Sequence, residues 1–389
     1  MLLTSVIRLE MEHVFPQKPL PSTKSDRPAP ELQTPMKTNA SFLRHLAASA
    51  VLLLAVATQP SFAQTTATTT PVGFITATVP ASPDGGTTPG QLTLSIPLYQ
   101  SADFAGSVAS IDSATQFTLT GANFTFNVAT DTHNPRLARV MTGANVGMYL
   151  TVTANTATQL TVSTNITGLL SVGDTVQVLL ANTIGKVFGS YAFGTTPPLL
   201  STGATATTAG VDNIFILNNN IWGTYFNNGT NWKQSGKLST FDDFVINPDA
   251  GIFVMHYGAA PVSITLTGTI PSTTEEINFI GNGQTFIANR FPVDTTLNSL
   301  LGGATGTASL LLPGWVIGTP GNGGDSVFAW NSTNKKWDTY YYDGTNWKKS
   351  GVLGTFGNTT GVIPPGTAVV VSRASQTAVA LAQTLPYTP

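Results

Sequence analysis

Histidine is the first side chain to consider for catalysis, because a nucleophilic triad needs a base. After residue 63 the chain has two histidines, His133 and His256. His133 lies in the polar stretch Asp131-Thr-His-Asn-Pro135, and His256 ends a strand-like run. Neither is accompanied by a Gly-x-Ser-x-Gly elbow, so we interpret both as surface or sheet-end residues. No enzyme activity is expected.

Acidic side chains form two adjacent pairs, Asp242-Asp243 and Glu275-Glu276. Neighbours on a strand point to opposite faces, which does not suit two carboxylates that act on one bond. We interpret both pairs as solvated loop charge.

The turn Asn322-Gly-Gly-Asp325 offers oxygen ligands for Ca²⁺, but it lacks the spaced acidic pattern of a calcium loop. No cofactor is therefore expected, and Ca²⁺ at this turn is the alternative.

Aromatic side chains are the remaining candidates, because exposed Trp and Tyr on a sheet can stack on sugar rings. The chain has 6 Trp, and four of them lie in two similar segments, 222–232 and 337–347. The alternative is that these rings fill the core, since aromatic residues bury a large area and suit strands with or without a ligand. The candidate ligand face consists of Trp222, Trp337 and Tyr342.

The two aromatic segments are copies of one pattern. Trp222-Gly-Thr-Tyr-Phe-Asn-Asn-Gly-Thr-Asn-Trp-Lys233 recurs, 115 positions later, as Trp337-Asp-Thr-Tyr-Tyr-Tyr-Asp-Gly-Thr-Asn-Trp-Lys348. The match continues through Thr240-Phe241 and Thr355-Phe356. A pattern of this length indicates an internal repeat in the C-terminal half.

Each copy predicts a β-hairpin. Asn228-Gly229 and Asp343-Gly344 are strong signals for a two-residue type I′ turn, which needs positive φ at both central residues. Such turns place each tyrosine opposite a tryptophan, and we favour burial in the core for these pairs. Trp222 and Trp337 then lie on the opposite face. The structural hairpin residues are Tyr225, Trp232 and Gly229 in the first copy and Tyr340, Trp347 and Gly344 in the second.

The composition excludes several functions. Only 9% of the 389 residues are charged, and the net charge is -2. A nucleic-acid partner is excluded because no basic stripe can be built. Disorder driven by charge is excluded because 41% of the residues are hydrophobic. Low charge with many hydroxyl and amide groups suits a neutral polymer or self-association.

Residues 36–63 have the pattern of a secretory signal peptide. Lys37 and Arg44 provide the positive region before a short apolar run, and Ser61-Phe-Ala63 is a cleavage site of the small-residue type. The apolar run is too short to span a membrane. We expect secretion, a mature chain that starts at Gln64, and no transmembrane segment after cleavage.

Alternating apolar and hydroxyl residues dominate the rest of the chain, as in Tyr149-Leu-Thr-Val-Thr153 and Ile264-Thr-Leu-Thr267. This period is typical of half-buried antiparallel strands. We predict an all-β fold in which a small β-barrel or sandwich is inserted in, or followed by, two repeated β-sandwich-like modules. If the barrel is an insert, the first copy of the repeat runs from about Val72 to Ile270 and surrounds the barrel. The expected segments are a mis-assigned upstream segment or extended n-region (1–35), the signal peptide (36–63), a Thr-rich leader (64–71), N-terminal strands that are part of the first repeat if the barrel is an insert (72–106), the small β domain (107–182), the first β repeat (183–274) and the second β repeat (275–389).

Together, these features resemble a known family. The signal peptide, the Pro71-Val-Gly-Phe74 start, the pattern from Gly147 to Asp174 and the Gly-Thr-Asn-Trp hairpins are similar to a paralogous family of secreted, Thr-rich all-β proteins from verrucomicrobial bacteria. The resemblance covers nearly all of the mature chain. The family has no established activity, so the resemblance implies secretion and β-architecture and no catalytic residues.

The sequence therefore predicts a secreted protein of the cell surface or extracellular matrix, with a structural or adhesive role and without catalysis. The alternative is a glycan-binding module that uses the hairpin aromatics. The expected partners are a second copy of the chain or a neutral polysaccharide.

Overall fold

The structure is a computed structural model, and strands dominate it. It describes residues 71–194, 197–218, 220–301, 312–356 and 362–388. The predicted upstream segment, the signal peptide and residues 64–70 of the leader lie outside these residues. Among the described residues, helices are few and short, so the all-β prediction is confirmed. No helix in this part of the chain is long and apolar enough to cross a membrane.

The elements follow one another in three blocks along the chain. The first block contains β1 (Val72–Val79) and β2 (Gly90–Leu94). The second contains β3 (Ala102–Ser113), β4 (Gln116–Leu119), β5 (Arg136–Val140), β6 (Tyr149–Asn155), β7 (Gln159–Val162) and β8 (Thr175–Leu180). The third contains α1 (Ile184–Phe188), β9 (Asn213–Asn218), β10 (Ile221–Asn227), β11 (Trp232–Gln234), β12 (Ile252–His256), β13 (Val262–Thr269), β14 (Glu275–Phe279), β15 (Gly283–Ala288), β16 (Thr295–Thr296), α2 (Leu297–Leu301), β17 (Ser326–Asn331), β18 (Lys336–Tyr342), β19 (Trp347–Lys349), β20 (Val362–Ile363), β21 (Ala368–Arg373) and β22 (Val379–Gln383).

Strands β3 to β8 form a closed, antiparallel barrel in the order β3-β4-β7-β6-β5-β8. Its core follows the period-two pattern of the sequence, since Leu150 and Val152 are buried while the intervening threonine faces outward. The barrel starts at Ala102, before residue 107, because the first half of the long strand β3 pairs with β8.

The strands before and after the barrel belong to one sheet. Strand β2 pairs with β12 in a five-stranded sheet of order β11-β10-β9-β12-β2, and β1 pairs with β13 in a two-stranded ribbon. Apolar residues between sheet and ribbon, such as Leu94, Val254 and Ile264, form the core of this first module. The chain therefore leaves the first module after β2, forms the barrel, and returns at α1.

The second module repeats this arrangement. Its five-stranded sheet has the order β15-β21-β17-β18-β19, and its ribbon pairs β14 with β22. Ile277, Val327 and Val371 are buried between them. The equivalent strands of the two modules occupy equivalent places in their sheets.

The two five-stranded sheets contact each other through the faces that are turned away from their own ribbons. Phe253 on β12 lies 5.3 Å from Trp330 and 5.5 Å from Trp337, measured between ring centroids. Phe286 on β15 lies 5.5 Å from Trp222. These rings belong to one apolar cluster that joins the modules.

The predicted register of both hairpins is wrong, because each residue of the first strand pairs with a residue two positions further along the chain than predicted. Tyr225 is opposite Gln234, and Trp232 is opposite Asn227. In the second copy Tyr340 is opposite Lys349, and Tyr342, not Tyr340, is opposite Trp347. The turn is centred one residue further along the chain than a type I′ turn at Asn-Gly or Asp-Gly requires.

The side chain before each glycine explains this shift. The Oδ1 atom of Asn228 accepts hydrogen bonds from the backbone N–H groups of Thr230 and Asn231, at 3.0 and 2.9 Å. The backbone N–H of Asn228 donates to the carbonyl of Asn231, which makes these two residues the ends of the turn. Gly229 is then the first central residue, with φ 97°, and Gly344 has φ 100°. Positive φ at both glycines is confirmed.

Gly229→Val and Gly344→Val are each expected to destabilise the protein by about 1–3 kcal/mol, because a β-branched residue at positive φ is strained. A Cβ atom at Gly229 meets no other atom within 4 Å, so the backbone conformation alone causes the loss. Thermal melts would measure the effect. Gly321→Val is the control, since Gly321 also has open space around it but no positive φ. Unchanged melting temperatures for both hairpin variants would contradict the turn geometry.

Candidate functional site

Two of the three predicted ligand-face residues come together in one cleft. Trp222 on β10 and Trp337 on β18 line a cleft of about 370 Å³ between the two five-stranded sheets. Their side chains belong to equivalent positions of the repeat, and each points away from the core of its own module. Trp222 is 40% exposed, and Trp337 is half-buried. The alternation along β10 and β18 places them there, because Trp232 and Trp347 occupy the opposite face.

The remaining lining of the cleft combines apolar and uncharged polar side chains. Phe328 and Val370 contribute apolar surface, and Gln284 and Thr339 contribute amide and hydroxyl groups. The backbone of Gln284 is held by Asn220, whose Oδ1 accepts its N–H at 2.9 Å. None of the lining side chains carries a charge. A cleft of this kind fits a neutral ligand that has one apolar face.

Tyr342, the third predicted ligand-face residue, does not line this cleft. It is fully buried in the core of the second module, 5.6 Å from Trp347 between ring centroids, and its hydroxyl donates to the Thr345 carbonyl. The prediction is wrong because alternation along β18 places Tyr342 on the same inner face as Tyr340, two positions earlier, and there it pairs with Trp347.

The predicted structural residues of the hairpins lie in the two cores. Trp232 and Trp347 are fully buried, as favoured from the sequence. The indole N–H of Trp232 donates to the Gly189 carbonyl at 2.7 Å. Tyr225 packs in the first core, and burial raises its pKa to about 12. Tyr340 is half-buried against the second core. These residues are structural and contribute no surface to the cleft.

A buried charged cluster lies where the barrel, the first module and the second module meet, and the sequence interpretation missed it. Glu275 is fully buried and accepts hydrogen bonds from the Nη2 atoms of Arg139 and Arg290. The Tyr149 hydroxyl donates at 3.0 Å to Oε2 of Glu275, the oxygen that also accepts from Arg290. Burial raises the pKa of Tyr149, as it does for Tyr99, so both phenols stay neutral.

The interpretation of the adjacent acidic pairs as solvated loop charge is therefore wrong for most of their members. Glu275 and Glu276 are both buried on β14, and burial raises the pKa of Glu276. Asp242 is buried as well, where it accepts hydrogen bonds from the Ser190 hydroxyl and the Trp232 backbone N–H. Asp243 remains partly exposed and pairs with His133 at 2.9 Å.

His256 lies at the end of a strand, as predicted, but is buried. Its Nδ1 lies 2.6 Å from Asp212, and its Nε2 lies 2.7 Å from the Ala260 carbonyl. The second module has a buried aspartate at the equivalent place, Asp325, beside Arg373. The pairs His256–Asp212 and Arg373–Asp325 each join the end of one strand to the start of the neighbouring strand. His256 therefore has a structural role.

The predicted calcium-type turn also has an inward-facing aspartate. The carboxylate of Asp325 is fully buried and accepts backbone N–H groups from Val316 and Ala374. Both carboxylate oxygens of Asp325 thus already accept hydrogen bonds from the backbone. Among the described residues, no group of three or more His, Cys, Asp or Glu side chains is placed to hold a metal ion.

Comparison with protein-family models, with curated proteins and with solved structures gives no match for this chain. The fold defines the class as all-β.

Proposed function

We propose that this protein is a non-catalytic adhesive protein of the cell exterior, and that it binds neutral polysaccharide in the cleft between its modules. The observation that carries the proposal is the uncharged cleft with one tryptophan from each repeat, Trp222 and Trp337. Its volume of about 370 Å³ falls within the usual range of ligand sites. Indole rings that stay accessible beside amide and hydroxyl groups match the apolar face and the hydroxyl edge of a sugar.

The proposal predicts that Trp222→Ala and Trp337→Ala each weaken polysaccharide binding by about thirtyfold or more, the effect of removing an aromatic hot spot worth 2 kcal/mol. Retention of the purified protein on a panel of neutral polysaccharides, followed by titration against the retained one, measures this. Phe74→Ala is the matched control, because Phe74 is an exposed aromatic residue on the ribbon of the first module, away from the cleft. Equal binding by all three variants would contradict the proposal.

A second candidate function, self-association, is favoured by a different observation. Leu238 is 98% exposed and Leu353 is 100% exposed, and the two occupy equivalent positions of the repeat, after β11 and β19. Their neighbours differ between the copies, since Lys237 corresponds to Val352. A large apolar side chain retained in full exposure in both copies suits insertion into a second copy of the chain, as in a structural matrix.

Self-association through these loops predicts that the double variant Leu238→Ser, Leu353→Ser lowers the average mass of the protein at high concentration. Analytical ultracentrifugation over a concentration series measures the mass. Val172→Ser provides the control, since Val172 is an exposed apolar residue of the barrel. A wild-type protein that stays monomeric throughout the series would overturn this candidate.

A further inference from the structure

A second cavity lies beside the buried charged cluster, at the junction of the barrel with the first module and the segment that follows β13. It has a volume of about 90 Å³ and is lined by Arg139 and Gln177 from the barrel and by Gln100, Thr269 and Ser272 from outside it. None of its lining residues is acidic. Water takes up roughly 30 Å³ per molecule, so the cavity holds about three waters or one small ion of similar volume.

Arg139 is the charged residue of this cavity, and its charge is incompletely balanced. Its Nη2 atom donates to Glu275 and, at 2.7 Å, to Thr273. Glu275 is shared, because its second oxygen accepts from Arg290 at 2.6 Å. One carboxylate therefore serves two guanidinium groups. Asp249 and Glu276 are the other carboxyl groups near Arg290, and burial raises the pKa of each.

Arg136, in the same barrel strand, shows what a balanced arginine looks like in this protein. It has two carboxylates of its own, Asp103 at 3.0 Å and Asp131 at 2.8 Å. Arg139, by contrast, is 2% exposed, and its Nε atom has no hydrogen-bond partner among the described residues. A buried guanidinium donor without an acceptor is costly, so the site favours an occupant that supplies negative oxygen atoms.

We propose that this cavity binds a small carboxylate anion, of the size of formate or acetate, through Arg139. Both Nη2 hydrogens of Arg139 are used by Glu275 and Thr273, so the Nε–H, which has no partner among the described residues, is the donor left for a carboxylate oxygen. Gln177 lies directly opposite Arg139 in the barrel, on β8, and brings an amide to the same space. The hydroxyls of Thr269 and Ser272 complete a lining that offers hydrogen-bond donors and no competing acid. Because residues from the barrel and from outside it line the site, an anion bound there stabilises their junction.

Thermal unfolding of the full protein in a series of acetate concentrations tests the proposal, with acetamide as the neutral molecule of the same shape. Acetate is expected to raise the melting temperature in proportion to the logarithm of its concentration once the site is saturated, as for any ligand of the native state. Acetamide is expected to have no such effect. Sodium chloride at equal ionic strength separates binding from screening. Equal shifts with acetate and chloride, or no shift with acetate, would show that the cavity holds water only and would overturn the proposal.

Gln177→Glu provides the matched variant. It places a carboxylate within the cavity, opposite Arg139, and should abolish the response to acetate without loss of the fold. Gln116→Glu is the control, because Gln116 is a half-buried residue of another barrel strand and does not line the cavity. Gln116→Glu should keep the response. A full acetate response in Gln177→Glu would contradict the assignment of the anion to this cavity.

Discussion

Replacing Trp232 or Trp347 with alanine is expected to lower the free energy of unfolding by about 3–5 kcal/mol, as truncation of a buried large aromatic residue does. Both side chains are fully buried, each in the core of its own module. Trp232 also loses the hydrogen bond from its indole N–H to Gly189 and its packing against Phe188, whose ring lies 5.7 Å away. Urea unfolding followed by circular dichroism measures the change in midpoint.

Trp222→Ala is the matched control for this experiment, because it removes the same side chain from the outer face of the same hairpin. Trp222 lines the cleft and is 40% exposed, so its truncation removes less buried area than truncation of the fully buried Trp232. We expect a loss well below that of Trp232→Ala. If all three variants unfolded at the wild-type midpoint, the assignment of Trp232 and Trp347 to the two cores would be wrong.

The hairpins show how much of the fold could be predicted from the sequence. Their existence, the glycines at positive φ and the burial of Trp232 and Trp347 all followed from local patterns. The register of the hairpins did not follow from local patterns. The choice between two adjacent turn positions depends on which backbone N–H groups donate to the Asn228 side chain. Asn and Asp favour turns by bonding to the backbone two or three residues on, and this competes with their use at positive φ.

The cleft could be predicted in part, because local patterns specify which face of a strand each side chain occupies. Alternation along each strand puts Trp222 and Trp337 on the face opposite Trp232 and Trp347, and the structure agrees. Tyr342 was misplaced although alternation puts it on the same face as Tyr340, two positions earlier, and so on the inner face with Trp347. That the two outer faces meet, and so form a cleft, depends on packing between modules that no local pattern specifies.

The buried charges could not be located from local patterns, because their partners are distant along the chain. Glu275 pairs with Arg139, 136 positions away. A signal was nevertheless present, since Arg290 follows the apolar run Phe286-Ile-Ala288 in a chain with very few charged residues. A charge beside such a strand indicates a buried partner, because an arginine is rarely buried unless it is paired.

Glu275→Gln is expected to destabilise the protein by about 3–5 kcal/mol, although it changes the shape of the side chain very little. The change removes the one negative charge between Arg139 and Arg290, which are almost fully buried. Loss of one partner from a buried ion pair leaves an uncompensated charge, and that cost exceeds the net contribution of the intact pair. Because the cluster joins the barrel to the second module, we expect the free energy of unfolding to fall for both. Urea titration monitored by tryptophan fluorescence and circular dichroism measures it.

Asp343→Asn is the control for charge removal at an accessible pair. Asp343 lies 3.7 Å from Lys348, both side chains are about one-third exposed, and the equivalent residue of the first copy is Asn228. An exposed ion pair contributes at most about 1 kcal/mol, so this variant should be close to wild type.

The triple variant Glu275→Leu, Arg139→Met, Arg290→Met removes the whole charged set and should be more stable than Glu275→Gln alone, since buried ion pairs and apolar replacements are often equivalent. A triple variant less stable than Glu275→Gln would show that hydrogen bonding to the tyrosines, and not charge balance, holds this junction together.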